Sequence, residues 1–140
     1  MPYGSDAVRL RAFKGNFGSS KIAGAPATLY VALLRHPTDP ANVLGTEPDA
    51  TGNYARVAVS NVDAELTYSA NGGDNTHEVR YPAATGLYNI TTALNQWALY
   101  DNNSGGNLIA FGQLTSTITV TGAGDQPVIP AHALVLTERA

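Results

Sequence analysis

An all-β sandwich is predicted for most of this chain, on three observations. Apolar residues recur at every second position through several stretches, each stretch is short, and clusters of Gly, Asn, Asp and Pro separate them. About eight strands follow from that pattern, spaced as in a β-sandwich or barrel. There is no internal repeat and no low-complexity tract, and no long helical period follows residue 27.

Taken in order, the sandwich begins at residue 28. TLYVALLR (28–35) is a nearly continuous apolar run, as expected of a strand covered on both faces. HPTDPANVLGTEPDATGN (36–53) holds three prolines and many turn formers, which predicts a long loop. YARVAVS (54–60) alternates, with Ala55, Val57 and Val59 on one side and Tyr54, Arg56 and Ser60 on the other. AELTYSA (64–70) is a weaker strand, NGGDNT (71–76) a turn, and HEVRYP (77–82) a strand with Val79 and Tyr81 facing together. LNQWALYD (94–101) and NLIAFGQL (107–114) flank NNSGG, which reads as a hairpin loop. TITVT (117–121) places Ile118 and Val120 on one face. GAGDQP (122–127) is a turn, and HALVLTE (132–138) is the closing strand.

Residues 1–27 differ in kind and are expected to form an N-terminal arm ahead of a sandwich domain at 28–140. Ser5 and Asp6 can cap a short helix running to about Phe13, because their side-chain oxygens accept free backbone N–H groups. Gly15 and Gly18 end it, and GNFGSSKIAGAPA reads as extended chain.

With 140 residues the chain has the size of one domain. Only 14% of residues are charged, against about 25% in ordinary domains. Two explanations fit: partners cover much of the surface, since charge is depleted at interface cores, or a small β protein builds its strands and turns from Thr, Ser, Asn and Gly. The net charge of -3 gives no global signal for nucleic acid. Arg9, Arg11, Lys14 and Lys21 against Asp6 give the first 21 residues +3, so the remainder carries -6. Absence of cysteine excludes disulfides and Cys-ligated metals. No apolar run reaches the ~20 residues of a membrane span, and MPYGSDAVRLRAF lacks the apolar stretch of a signal peptide. A soluble protein made in a cytoplasm is expected.

Each catalytic candidate has a plainer explanation. His36, His77 and His132 lie in three different segments with no metal-ligand spacing. GNFGSSK (15–21) resembles a phosphate loop, yet its Lys follows the second Gly by three residues and no Ser or Thr follows it. The Asp- and Asn-rich loops at 47–53, 71–76 and 101–107 match no Ca²⁺ loop, and Asx turns explain them. There is no G-x-S-x-G elbow. Trp97, Tyr100 and Phe111 would suit a sugar-stacking platform, but core packing is the better default for aromatics on paired strands. No enzyme activity, catalytic residue, metal or cofactor is expected.

Four blocks carry a family resemblance: PATLYVALLRHPTDP (26–40), GNYARVAVS (52–60), RYPAATG (80–86) and WALYDNNSGGNLIAFGQL (97–114). In order and spacing they resemble small tailed-phage virion proteins, and within that group the capsid cement (decoration) proteins. The resemblance implies a jelly-roll-like sandwich on the outer capsid surface. It would bind the major capsid protein, stabilise contacts between capsid subunits, and pair with itself as a homodimer near two-fold axes. Neither nucleic acid nor membrane is an implied partner. In the wider group the start is more helical and Leu-rich, whereas here it is Gly-rich and basic. That departure sets this segment apart from any docking role shared by the group. On charge alone, since they are half the chain's Lys and Arg, Arg9, Arg11, Lys14 and Lys21 are expected to bind an acidic capsid surface. Apolar strand faces around 28–34 are expected to support the self-pairing. Two other readings remain open: a tail or fibre component, and a carbohydrate-binding sandwich, or less readily a hydrolase, using Trp97 and loop carboxylates.

Overall fold

The apolar run near residue 30 becomes β1 (Thr28–Leu34), the strand on which the other elements are built. In the computed structural model, residues 26–137 are described apart from 63, 70–71 and 91–92. The further strands are β2 (Val57–Ser60), β3 (Leu66–Ser69), β4 (Gly72–Asn75), β5 (Val79–Arg80), β6 (Ala93–Tyr100), β7 (Leu108–Thr119), β8 (Val128–Ile129) and β9 (Val135–Thr137). They form a four-stranded sheet in the order β2-β1-β6-β7, a three-stranded sheet β3-β4-β9 and a pair β5-β8. Every pairing is antiparallel, and the whole is a β-sandwich.

The period of two decides which side chains meet. In the β1–β6 register, Val31 faces Leu99 and Leu33 faces Trp97. These residues and Leu29 point inward, where they join Leu66, Val79, Ile129 and Leu134 of the smaller sheets and their flanks. Each such side chain taken fully out of water stabilises the fold by about 1.5–3 kcal/mol. Alternate residues of the same strands point outward. Ala32, Leu34 and Ala98 form a second buried cluster with Tyr100 and Phe111 packed against it. Strand β1 is thus covered on both faces, as its unbroken apolar run predicts. That burial corrects one expectation: Leu29 and Val31–Leu34 are interior, so they offer no apolar face for self-pairing.

Strand β2 follows β1 only as far as the Val31–Val57 pair. Beyond it, tyrosine hydroxyls serve the exposed backbone of β1. The Leu33 N–H donates to Tyr54 Oη at 3.1 Å, and Tyr81 Oη donates to the Val31 carbonyl at 3.0 Å. Tyr54 stacks on Tyr81 and meets Tyr88 edge-on, a geometry favourable for aromatic pairs.

Several boundaries differ from those the sequence predicts. Residues 72–75 of the expected NGGDNT turn are β4, the middle strand of its sheet, paired with β3 and β9. Two backbone ladders there outweigh the poor strand propensity of Gly, Asp and Asn. The expected strands at 107–114 and 117–121 are joined in the single strand β7. Its register jumps between Gln96–Gln113 and Leu94–Ile118, so Leu114–Thr117 bulge out of the ladder. The closing strand begins only at Val135, because His132 adopts φ 65° and Ala133 N–H bonds back to Pro130 in a turn. The first described strand, β1, begins at Thr28. Arg9, Arg11, Lys14, Lys21 and the expected short helix lie outside the described residues.

Candidate interaction surface

The three histidines stay apart, and each serves its own loop. His36 Nδ1 accepts from the Asp39 N–H at 2.8 Å and closes a turn. His77 Nδ1 lies 3.2 Å from Glu65, and His132 Nδ1 lies 3.2 Å from Asp74, both pairs exposed. Among the described residues no cluster of His, Asp or Glu is grouped to hold a metal ion. The Asx loops close on themselves as well. Asp101 accepts from the Asn107 N–H at 2.7 Å, and Asp125 accepts from Thr121 through both its N–H and its hydroxyl. Trp97 is only 1% exposed, so the sugar-stacking platform expected as one alternative does not form. The indole fills core space, and the face of Tyr100 is taken by Arg56, whose Cζ sits 3.7 Å from the ring centroid.

These self-closed loops carry a pH expectation. Backbone hydrogen bonds, from Asn107 and Thr121 respectively, hold the Asp101 and Asp125 carboxyls below their ordinary value of 3.8. A carboxyl depressed by folding contributes stability above its unfolded value and loses it as pH falls through the folded one. The Asn107 and Thr121 amide resonances should therefore titrate below pH 3.8, with the rest of the sheet unchanged. Titration of these amides at or above the ordinary value would contradict it.

What the structure does build is a long loop, residues 36–53, held down at close intervals. Asn95 exchanges two hydrogen bonds with the backbone of His36, at 3.0 and 2.8 Å. Arg35 and Thr46 form a bridge through reciprocal backbone bonds of 3.0 and 2.9 Å. Between them, Gln96 projects from the outward face of β6 with 0% exposure. Its Nε2 donates to the Pro40 and Val43 carbonyls at 2.7 and 2.8 Å, and its Oε1 accepts from the Gly45 N–H at 2.6 Å. One buried amide thus has all three of its bonds in one loop. Gly45 is required by this approach, since a Cβ there would overlap the Arg35 carbonyl. Further along, Asp49 N–H donates to Asn89 Oδ1 at 2.9 Å.

The loop ends at an ionic latch. Arg56 makes a two-pronged contact with Glu47, Nε at 2.9 Å and Nη2 at 2.8 Å. Its Nη1 donates to the Asn102 and Gly105 carbonyls of the β6–β7 hairpin. Tyr54 Oη donates to the same carboxylate at 2.6 Å. Burial above all, with Tyr81 and Glu47 adding to it, raises the Tyr54 hydroxyl far above its usual range. It stays protonated and remains a donor. Tyr54→Phe removes the acceptor of a buried N–H and the Glu47 bond, and should cost about 1–3 kcal/mol. A denaturant midpoint within error of the parent, at unchanged slope, would contradict that.

Sequence reading missed Gln96, Glu47 and Arg56 because their partners lie across the sheet or in another loop. It also missed Asn75, which is buried inside the expected turn. Asn75 Nδ2 donates to the His77 and Pro130 carbonyls, and its Oδ1 accepts from the Leu134 N–H. The pinned loop carries Val43 and Leu44, 46% and 38% exposed, and Leu87 on the neighbouring loop is 54% exposed. Loop backbone held this firmly, bearing apolar side chains in solvent, suits contact with another protein.

Residues 16–137 match the model of one protein family, the podophage GP4 fiber I protein gp80. The chain belongs to that family. It is a structural protein of a phage virion. No curated protein matches it. The matched residues include every described strand of the sandwich, from β1 to β9.

Proposed function

We propose that this chain is a fibre-class structural subunit of a podophage virion, acting by protein–protein contact and performing no chemistry. The observation that carries this is the match of residues 16–137 to a fiber I protein family. A non-enzymatic role is supported by the way its reactive side chains are used. The three histidines close turns or sit in exposed pairs, and the buried tyrosines complete backbone bonding. Firmly held loops suit a protein that must keep its contact surface in shape under load, because a surface already ordered loses less entropy on binding.

A second location, the outer capsid surface as a cement protein, is favoured by the four sequence blocks described above and by the low charge content. In that setting the major capsid protein is the partner, and many modest contacts acting together hold the shell. Quantitative mass analysis of purified particles separates the two. Copies in proportion to tail subunits support the fibre reading, and copies in proportion to shell subunits overturn it in favour of cement.

Arg9, Arg11, Lys14 and Lys21 are proposed to attach the chain to an acidic surface of its virion partner. Deleting residues 2–21 should leave the sandwich folded and weaken attachment to particles, with the largest difference at low salt. Attachment as tight as that of the full chain would refute the role of these four cations.

A further inference from the structure

Arg56 bonds to two loops that lie far apart in the chain. Its Nε and Nη2 hold the Glu47 carboxylate of loop 36–53 at 2.9 and 2.8 Å. Its Nη1 donates to the Asn102 and Gly105 carbonyls of the β6–β7 hairpin at 2.9 and 2.8 Å. The side chain is only 8% exposed, and its Cζ lies 3.7 Å from the centroid of the Tyr100 ring on β6. A guanidinium presents its donors in a rigid planar fork, so its hold on one loop sets the direction in which it can meet the other. Each loop is also ordered from within up to this contact. Glu47 accepts from Tyr54 Oη, which in turn accepts from the Leu33 N–H of β1. In the hairpin, Asp101 accepts from the Asn107 N–H and Nδ2 at 2.7 and 3.0 Å, while Gly105 and Gly106 turn the chain at φ 61° and 76°. The Asn102 and Gly105 carbonyls converge on one nitrogen only while that curl is kept.

We infer that Arg56 couples the two loops, so that fixing or releasing one fixes or releases the other. Loop 36–53 carries the exposed Val43 and Leu44, and the hairpin is exposed from Asn102 to Leu108. A partner that engages either loop therefore readies the other for contact. For its use in the virion the inference rests on the contact role proposed above, which it deepens. The coupling itself is a property of the isolated chain. Coupling between two sites is reciprocal, so each loop must respond to a change in the other.

Amide hydrogen exchange on the full chain tests it, with the amides of β1 and β6 reporting any global loss of stability. Glu47→Gln keeps the shape of the side chain and removes its charge. It should speed exchange of the Asp101 and Asn107 amides in the hairpin about fivefold or more. Gly106→Ala, whose Cβ would meet Asp101 Oδ1, should do the same to the Gly45 and Thr46 amides of the long loop. In an Arg56→Met background both cross-loop effects should vanish, although each loop still responds to its own change. If that variant does not fold, Arg56→Lys takes its place, since a single ammonium serves one loop but not both. A hairpin indifferent to Glu47→Gln overturns the coupling. So does a long loop indifferent to Gly106→Ala, and so do cross-loop effects that survive without the Arg56 fork. The place in the virion is read instead from particle composition, so the two readings fail separately.

Discussion

Gln96→Leu should release the 36–47 segment and cost about 2–4 kcal/mol. The leucine fills much the same volume but cannot serve the Pro40 and Val43 carbonyls or the Gly45 N–H. Each buried polar group left without a partner costs about 1–3 kcal/mol. The loop is able to lift and rehydrate some of them, which keeps the total below the sum. The expected signature is local as well as global. Gly45 and Thr46 amides should lose hydrogen-exchange protection, while those of β1 and β6 keep theirs relative to the lowered stability. Gln96→Glu offers a second probe, since it retains an acceptor for Gly45 and loses both donations. Full protection at Gly45 in the leucine variant would show that the loop is held by its other ties alone.

Trp97→Ala should cost about 3–5 kcal/mol, the largest effect of any single truncation in this fold. The indole is fully interior, and its Nε1 makes no hydrogen bond, so the loss is one of packing. Gly112 sits directly opposite on β7. A Cβ at residue 112 would come within 2.7 Å of Trp97 Cζ2, closer than real side chains approach. Gly112→Ala should therefore cost about 1–3 kcal/mol as an overpacked core does. Placed on Trp97→Ala, the same change should cost almost nothing, because the ring it collides with is gone. A double-mutant cycle by chemical denaturation reads that coupling. Additive effects would mean that Gly112 is needed for its backbone freedom and not for the indole beside it.

Much of the fold was legible because strand periodicity is a local property. The apolar run at 28–35 announced a strand buried on both faces. Val79 with Tyr81, and Ile118 with Val120, announced which side faces inward, and NNSGG announced the hairpin between β6 and β7. The family match bears out a phage virion component. β4 was illegible. Gly72–Asn75 has the composition of a turn and becomes a strand only because β3 and β9 supply a ladder on each side.

The functional surface divides along the same line. From the sequence by itself came the class of protein and the turn-forming character of residues 36–53. Each of these depends on residues adjacent in the chain. Only the tertiary structure decided that this loop is fixed by Gln96, 51 residues from its Gly45 partner, and by the Arg56–Glu47 latch. It alone decided that β7 lies at the edge of its sheet, while the equally apolar β1 lies inside. Strand order and cross-sheet hydrogen bonds come from how the two layers close over their shared core, and no window of neighbouring residues contains that information.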